Sequence, residues 1–209
     1  MSFQVRKNER NQHSGKEGPD RRVFLSRALG VTAGLAGAAA AGAFALPASA
    51  KESTALANQP NWRFCVKCYG MFFYGFSDNG RCPAGGAHAR QTNRPDYDFV
   101  LPHDVAQTPT AQHDWRFCVK CYDLFFYGFS DNGRCAAGGA HSRQSGPDYD
   151  FVIPHDVPET ATAQRNWRFC VKCYVMFFYG FSDNGRCAAG GAHARQTNRP
   201  DYDFVIPHR

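Results

Sequence analysis

A stretch running from Trp62 to His103 returns, almost unchanged, at Trp115–His155 and again at Trp167–His208. Every Cys, Trp and Tyr of the chain falls inside one of these copies. Each copy is only 41 or 42 residues long. A unit of that size buries too little apolar surface to fold by hydrophobic burial alone. It needs a metal, a set of disulfides, or neighbours to pack against. The repeats divide the chain into residues 1–50, a leader 51–61, repeats at 62–103, 115–155 and 167–209, and spacers 104–114 and 156–166.

The spacing C-x2-C-x13-C-x5-H holds in all three copies. The candidate ligands are Cys65, Cys68, Cys82 and His88; Cys118, Cys121, Cys135 and His141; and Cys170, Cys173, Cys187 and His193. Three thiolates and one imidazole fill a tetrahedral Zn²⁺ shell, so three zinc ions per chain are expected, iron being second choice. Disulfides explain the pattern less well. Three Cys per copy leave one unpaired, nine in total is odd, and the recurring His is left without a role. A thioredoxin-like redox CxxC needs a βαβ context, and none surrounds it. His103, His155 and His208 also recur, but each follows a Pro at a strand end and reads as a surface residue rather than a ligand.

Trp62–Phe64 and the aromatic run Tyr69–Phe76 read as strands, and Tyr97–Leu101 as a third, ended by Pro102. Ser77-Asp78-Asn79-Gly80 reads as a type I′ hairpin turn, with Arg81-Cys82 starting the return strand. These are the parts of a zinc ribbon, which the sequence resembles with two departures. Tyr69, Tyr122 and Tyr174 stand where a ribbon knuckle carries Gly, and the second knuckle is C-x5-H. The predicted fold class is all-β, with three small zinc-ribbon-like repeats packed together in pseudo-threefold symmetry. Repeats one and three differ at Gly70/Val175, Pro83/Ala188 and Leu101/Ile206. The position shared by Gly70, Asp123 and Val175 varies most, which reads as surface.

Residues 1–50 carry an address. Arg21-Arg22-Val23-Phe24-Leu25 resembles a twin-arginine export signal; an Ala- and Gly-rich apolar run follows, and Pro47-Ala48-Ser49-Ala50 supplies a small-x-small cleavage site. An exported, periplasmic or secreted protein is expected, with no membrane span once the signal is removed. Proteins using that route fold before export, so their thiols meet metal in a reducing compartment. The formal charge of +6 is mostly in this segment. With its seven basic and three acidic residues set aside, 17 basic and 15 acidic residues remain. That balance, with basic residues dispersed among Asp, does not suggest a nucleic-acid partner.

The combined pattern W-x-x-C-x-K-C…G-x-C-x-A-G-G-x-H…Y-x-F-x-x-P-H resembles tandem repeats of secreted bacterial proteins, a resemblance that carries no activity with it. No nucleophile–base pair stands out, and four protein ligands leave a zinc ion no open position, so an enzyme is not expected. The surplus of aromatics suggests a multivalent binding protein for a glycan or other cell-surface component, with Tyr74, Tyr127 and Tyr179 as candidate stacking residues. A metal-handling or structural envelope protein is the second reading. The pairs Asp96/Asp98, Asp148/Asp150 and Asp201/Asp203 are expected to pair with nearby Arg.

Overall fold

A computed structural model describes residues 57–93, 95–198 and 200–209. The expected export signal and the leader up to residue 56 lie outside them. The described residues contain nine strands and no helix. Each repeat builds one three-stranded antiparallel sheet: β1 (Asn58–Phe64), β2 (Met71–Phe73) and β3 (Phe99–Pro102); β4 (Ala111–Phe117), β5 (Leu124–Phe126) and β6 (Phe151–Pro154); β7 (Ala163–Phe169), β8 (Met176–Phe178) and β9 (Phe204–Pro207). The order is β2-β1-β3, and the other two sheets repeat it.

The central strand begins earlier than its apolar residues suggest, since Asn58 already pairs with Pro102. A bulge separates Gln59 from Trp62. Asn61 takes a left-handed conformation there (φ 72°), as do Asp114 and Asn166, and Asn and Asp are the side chains that tolerate it best. The Asn61 amide donates to Asp98 Oδ1 at 2.7 Å. The bulge turns Trp62 inward, where it is fully buried and donates its indole N–H to Gln59 Oε1 at 3.2 Å.

The tryptophans tie the three sheets into one core. Trp62 meets Phe151 of the second repeat edge-on at 5.2 Å, Trp115 meets Phe204 of the third at 5.2 Å, and Trp167 meets Phe99 of the first at 5.1 Å. The backbone follows the same cycle. Phe73 N–H donates to Tyr122 O, Phe126 N–H to Tyr174 O and Phe178 N–H to Tyr69 O, each at 2.9 Å. The third repeat thus closes back on the first. The repeats form one threefold unit, because each completes its core with its neighbour's aromatics.

Two expectations change. The hairpin of each repeat is β1–β2, joined through the Cys65–Gly70 knuckle, and Arg81-Cys82 does not return as a strand. Gly80 has φ 64° while Asn79 does not take positive φ, so the turn is not type I′. Asp78 Oδ1 accepts the Gly80 N–H at 2.9 Å instead, and the chain runs on as an irregular loop. The second correction concerns Gly70, Asp123 and Val175, which are buried and not surface residues. They meet where β2, β5 and β8 converge: a Cβ on Gly70 would lie 3.2 Å from Asp123 Oδ1 and 3.4 Å from Val175 Cγ1. Near a threefold axis one position occupies a shared space three times. The packing limit falls on the sum of the three side chains, so each one is free to differ.

Gly70→Val is therefore expected to destabilise by about 1–3 kcal/mol through overpacking, and Asp123→Gly introduced with it to recover most of the loss. A double-mutant cycle on chemical denaturation measures the coupling; additive effects would mean that the three side chains do not share one space.

Candidate metal centres and inter-repeat clefts

Each knuckle presents its sulfurs through a tight turn. Cys65 N–H donates to Gly70 O at 3.0 Å and Tyr69 N–H to Cys65 O at 2.8 Å. This closure needs a left-handed residue after the second cysteine, and Tyr69 (φ 66°), Tyr122 (71°) and Tyr174 (68°) adopt it. The conformation costs a non-glycine residue roughly 1–2 kcal/mol. The tyrosine returns contacts that Gly lacks. Tyr69 packs on Phe64 at 5.5 Å and on Phe181 of the third repeat at 5.2 Å, and its hydroxyl donates to Asp183 Oδ2 at 3.2 Å.

The four ligand atoms of each site lie within 4.8 Å of one another, and all twelve residues are buried. Cys65 Sγ sits 3.9 Å from Cys82 Sγ, and Cys68 Sγ 3.5 Å from His88 Nδ1. The second and third sites repeat these spacings at 3.9 and 3.4 Å. A tetrahedral ion with S at about 2.3 Å and N at about 2.1 Å has edges of about 3.8 and 3.6 Å, so the donor set fits a closed four-ligand centre. All nine cysteines are free thiols, with these sulfurs far outside the roughly 2.05 Å of a disulfide bond. The donor set therefore defines three Cys₃His metal-binding sites.

The imidazole is held by the next repeat. His88 Nε2 lies 3.1 Å from Cys121 O, His141 Nε2 3.0 Å from Cys173 O and His193 Nε2 3.1 Å from Cys68 O. A carbonyl only accepts, so Nε2 carries the proton and Nδ1 is left as the ligand atom. Phe72, Phe125 and Phe177 stack flat on these rings at 4.8, 4.7 and 4.7 Å. The other recurrent histidines stay away from the sulfurs, but His103 and His155 are buried rather than surface residues, because each is covered by a tyrosine of the next repeat: His103 stacks on Tyr149, His155 on Tyr202 and His208 on Tyr97, at 3.7–3.9 Å. The aspartate pairs meet arginines, as Arg63 with Asp98 and Arg90 with Asp96 show. His113, Asp114 and Asp150 also gather, but Arg116 already pairs with both carboxylates.

Tyr74, Tyr127 and Tyr179 are half-buried, and each has two guanidinium groups over its ring, those of Arg63 and Arg90 at 5.7 and 5.2 Å from Tyr74. Phe76, Phe129 and Phe181 are each about half exposed, and Tyr149 is exposed to a lesser degree. The three phenylalanines line three equivalent clefts between repeats, of about 340, 210 and 240 Å³. In one, Phe181 and Phe178 of the third repeat face Phe64, Tyr97, Asp96 and Gln91 of the first. Sequence reading did not find these clefts, because each is built by two repeats.

Family models, curated protein sequences and solved structures yield no match to this chain; fold and site rest on their own geometry.

The protonation of the metal-free sites is set by their crowding. Hydrogen bonding from Cys68 and Cys82 holds the Cys65 thiol far below its usual range. Cys68 is pushed well above it by hydrogen bonding with Cys65 and Cys82 and by burial. Burial pulls the His88 imidazole down, but the Asp123 carboxylate and the Cys65 and Cys82 sulfurs outweigh it and raise the group to about 11. His141 reaches about 10 and His193 about 9, the order in which the influence of Asp123 fades. At neutral pH the empty first site thus holds protons on His88 and Cys68 that a bound cation must displace. Groups protonated when empty and deprotonated when loaded make affinity rise with pH up to their high values and fall as pH drops. Zinc uptake at pH 7 is expected to release at least about two protons per ion, measured by calorimetry in buffers of different ionisation enthalpy. Uptake without proton release would contradict this assignment.

Proposed function

We propose that the protein is an exported, non-catalytic, trivalent binding protein whose three structural zinc ions hold three glycan-recognising clefts in a fixed threefold array. The observation that carries this reading is the set of equivalent inter-repeat clefts, each with an exposed phenylalanine at its rim. Aromatic faces, a carboxylate and amide side chains in one cleft suit the apolar face and the hydroxyls of a sugar ring. The clefts lie at or below the lower end of ordinary ligand-site volumes, about 300–1,000 Å³, which favours a single ring over a long buried chain. Weak single sites become useful when repeated, since simultaneous engagement of a surface polymer multiplies affinity.

Zinc is supported by the Cys₃His donor set, and a structural role by the closed shell of four protein ligands. Export is supported by the twin-arginine-like Arg21-Arg22 and the small-residue cleavage motif.

The test is a glycan screen with fully metallated protein. Replacing Phe76, Phe129 and Phe181 together with Ala is expected to lower binding to the multivalent surface by about 100-fold or more. Each single replacement should remove one site and leave the fold intact. A blank screen, or binding that survives the triple replacement, would overturn the proposal.

A further inference from the structure

We infer that the threefold face carrying the third metal ligands is a binding site for one compact oxyanion of three or more negative charges. Arg81, Arg134 and Arg186, one from each repeat, line a single open depression of about 500 Å³. Among the described residues they are the arginines without a carboxylate or carbonyl acceptor: the others, from Arg63 to Arg209, have ion-pair partners. Among the described residues, no carboxylate lines the depression. Its walls also include Cys82, Cys135 and Cys187 with the glycine turns that follow them. The Gly85, Gly138 and Gly190 turns present backbone to open space, with nothing within 4 Å of a Cβ built at any of the three.

The simpler account is that these arginines only neutralise the metal centres beneath them. Three thiolates, a neutral imidazole and a divalent cation leave each centre at −1. Each repeat, however, supplies two cations to this region. Lys67 Nζ binds the carbonyls of Gly85 and Ala87, and Lys120 and Lys172 do the same in their repeats without a carboxylate partner. With Arg81 and its counterparts, each repeat keeps a surplus of about one positive charge over its metal centre, and the face about three. Arginine's planar fork matches phosphate and sulfate oxygens. Three such forks around one axis match a single ligand with several of these groups, supplied either by a free oligophosphate or by phosphate or sulfate esters on a polymer. The site shares no residue with the clefts, so it stands or falls separately from glycan binding there.

The experiment is isothermal titration of the metallated protein with tripolyphosphate and, separately, with sucrose octasulfate, whose ester groups are poor zinc ligands. One bound ligand per chain is expected, with affinity that falls as salt rises. Arg81→Gln, Arg134→Gln and Arg186→Gln should each weaken binding by about tenfold or more, while Arg165→Gln, an equal loss of charge elsewhere, should not. Tighter binding of the phosphate points to a free ligand, and tighter binding of the sulfated sugar to esters on a polymer. Metal content is followed in both arms, and the sulfate arm decides alone if tripolyphosphate strips the sites. Three ligands per chain, no binding in either arm, or unchanged binding when all three arginines are replaced by Gln would overturn the inference.

Discussion

The structure depends on a hydrogen bond that crosses from one repeat to the next: the imidazole of each metal site donates to the backbone carbonyl of the second cysteine in the neighbouring site. This bond selects which ring nitrogen faces the sulfurs, so each site is geometrically complete only when its neighbour's knuckle is folded. Around the ring the dependence is circular. His88 needs Cys121, His141 needs Cys173, and His193 needs Cys68. A small repeat that could not fold by itself is thereby converted into a part of a larger unit, with metal and core interdependent.

The same cycle explains the tyrosines at the knuckles. A ribbon closes such a turn with Gly to avoid left-handed strain. Here the strained residue also carries the inter-repeat contact, through its ring, its hydroxyl and its carbonyl. Gly80 and its equivalents complete the fit. A Cβ on Gly80 would meet the Cys121 carbonyl oxygen at 2.3 Å, so the loop of one repeat can approach the next site's knuckle only because that position has no side chain. Strain at the knuckle and the absence of a side chain at the loop are two sides of one contact.

What could be read from the chain alone was whatever lies within one repeat, together with the threefold packing of the repeats that their small size demands. The twelve ligands, the all-β class and the Asp–Arg pairing depend on local spacing, and the structure gathers them as expected. What escaped depends on two or three repeats meeting. The variability at Gly70, Asp123 and Val175 signalled exposure, since one sequence position cannot reveal that its three copies share a volume. Phe76 becomes a cleft rim only beside Phe117 and Tyr122 of the next repeat, and Arg81 joins a cationic ring only through closure. Asn58–Asn61 was missed for a different reason. Asn-Gln-Pro-Asn offers no apolar alternation, and its strand is held by backbone pairing and a bulge rather than by burial of its own side chains.

The central claim is that the three metal centres form one mutually dependent ring. Native mass spectrometry of the metal-free protein during a substoichiometric zinc titration tests it most directly. The account predicts that chains with no metal and chains with three ions dominate at every point, with one- and two-ion species scarce. A statistical distribution, in which one- and two-ion species pass through their binomial maxima, would show that the sites fill independently and that the inter-repeat bond does not couple them.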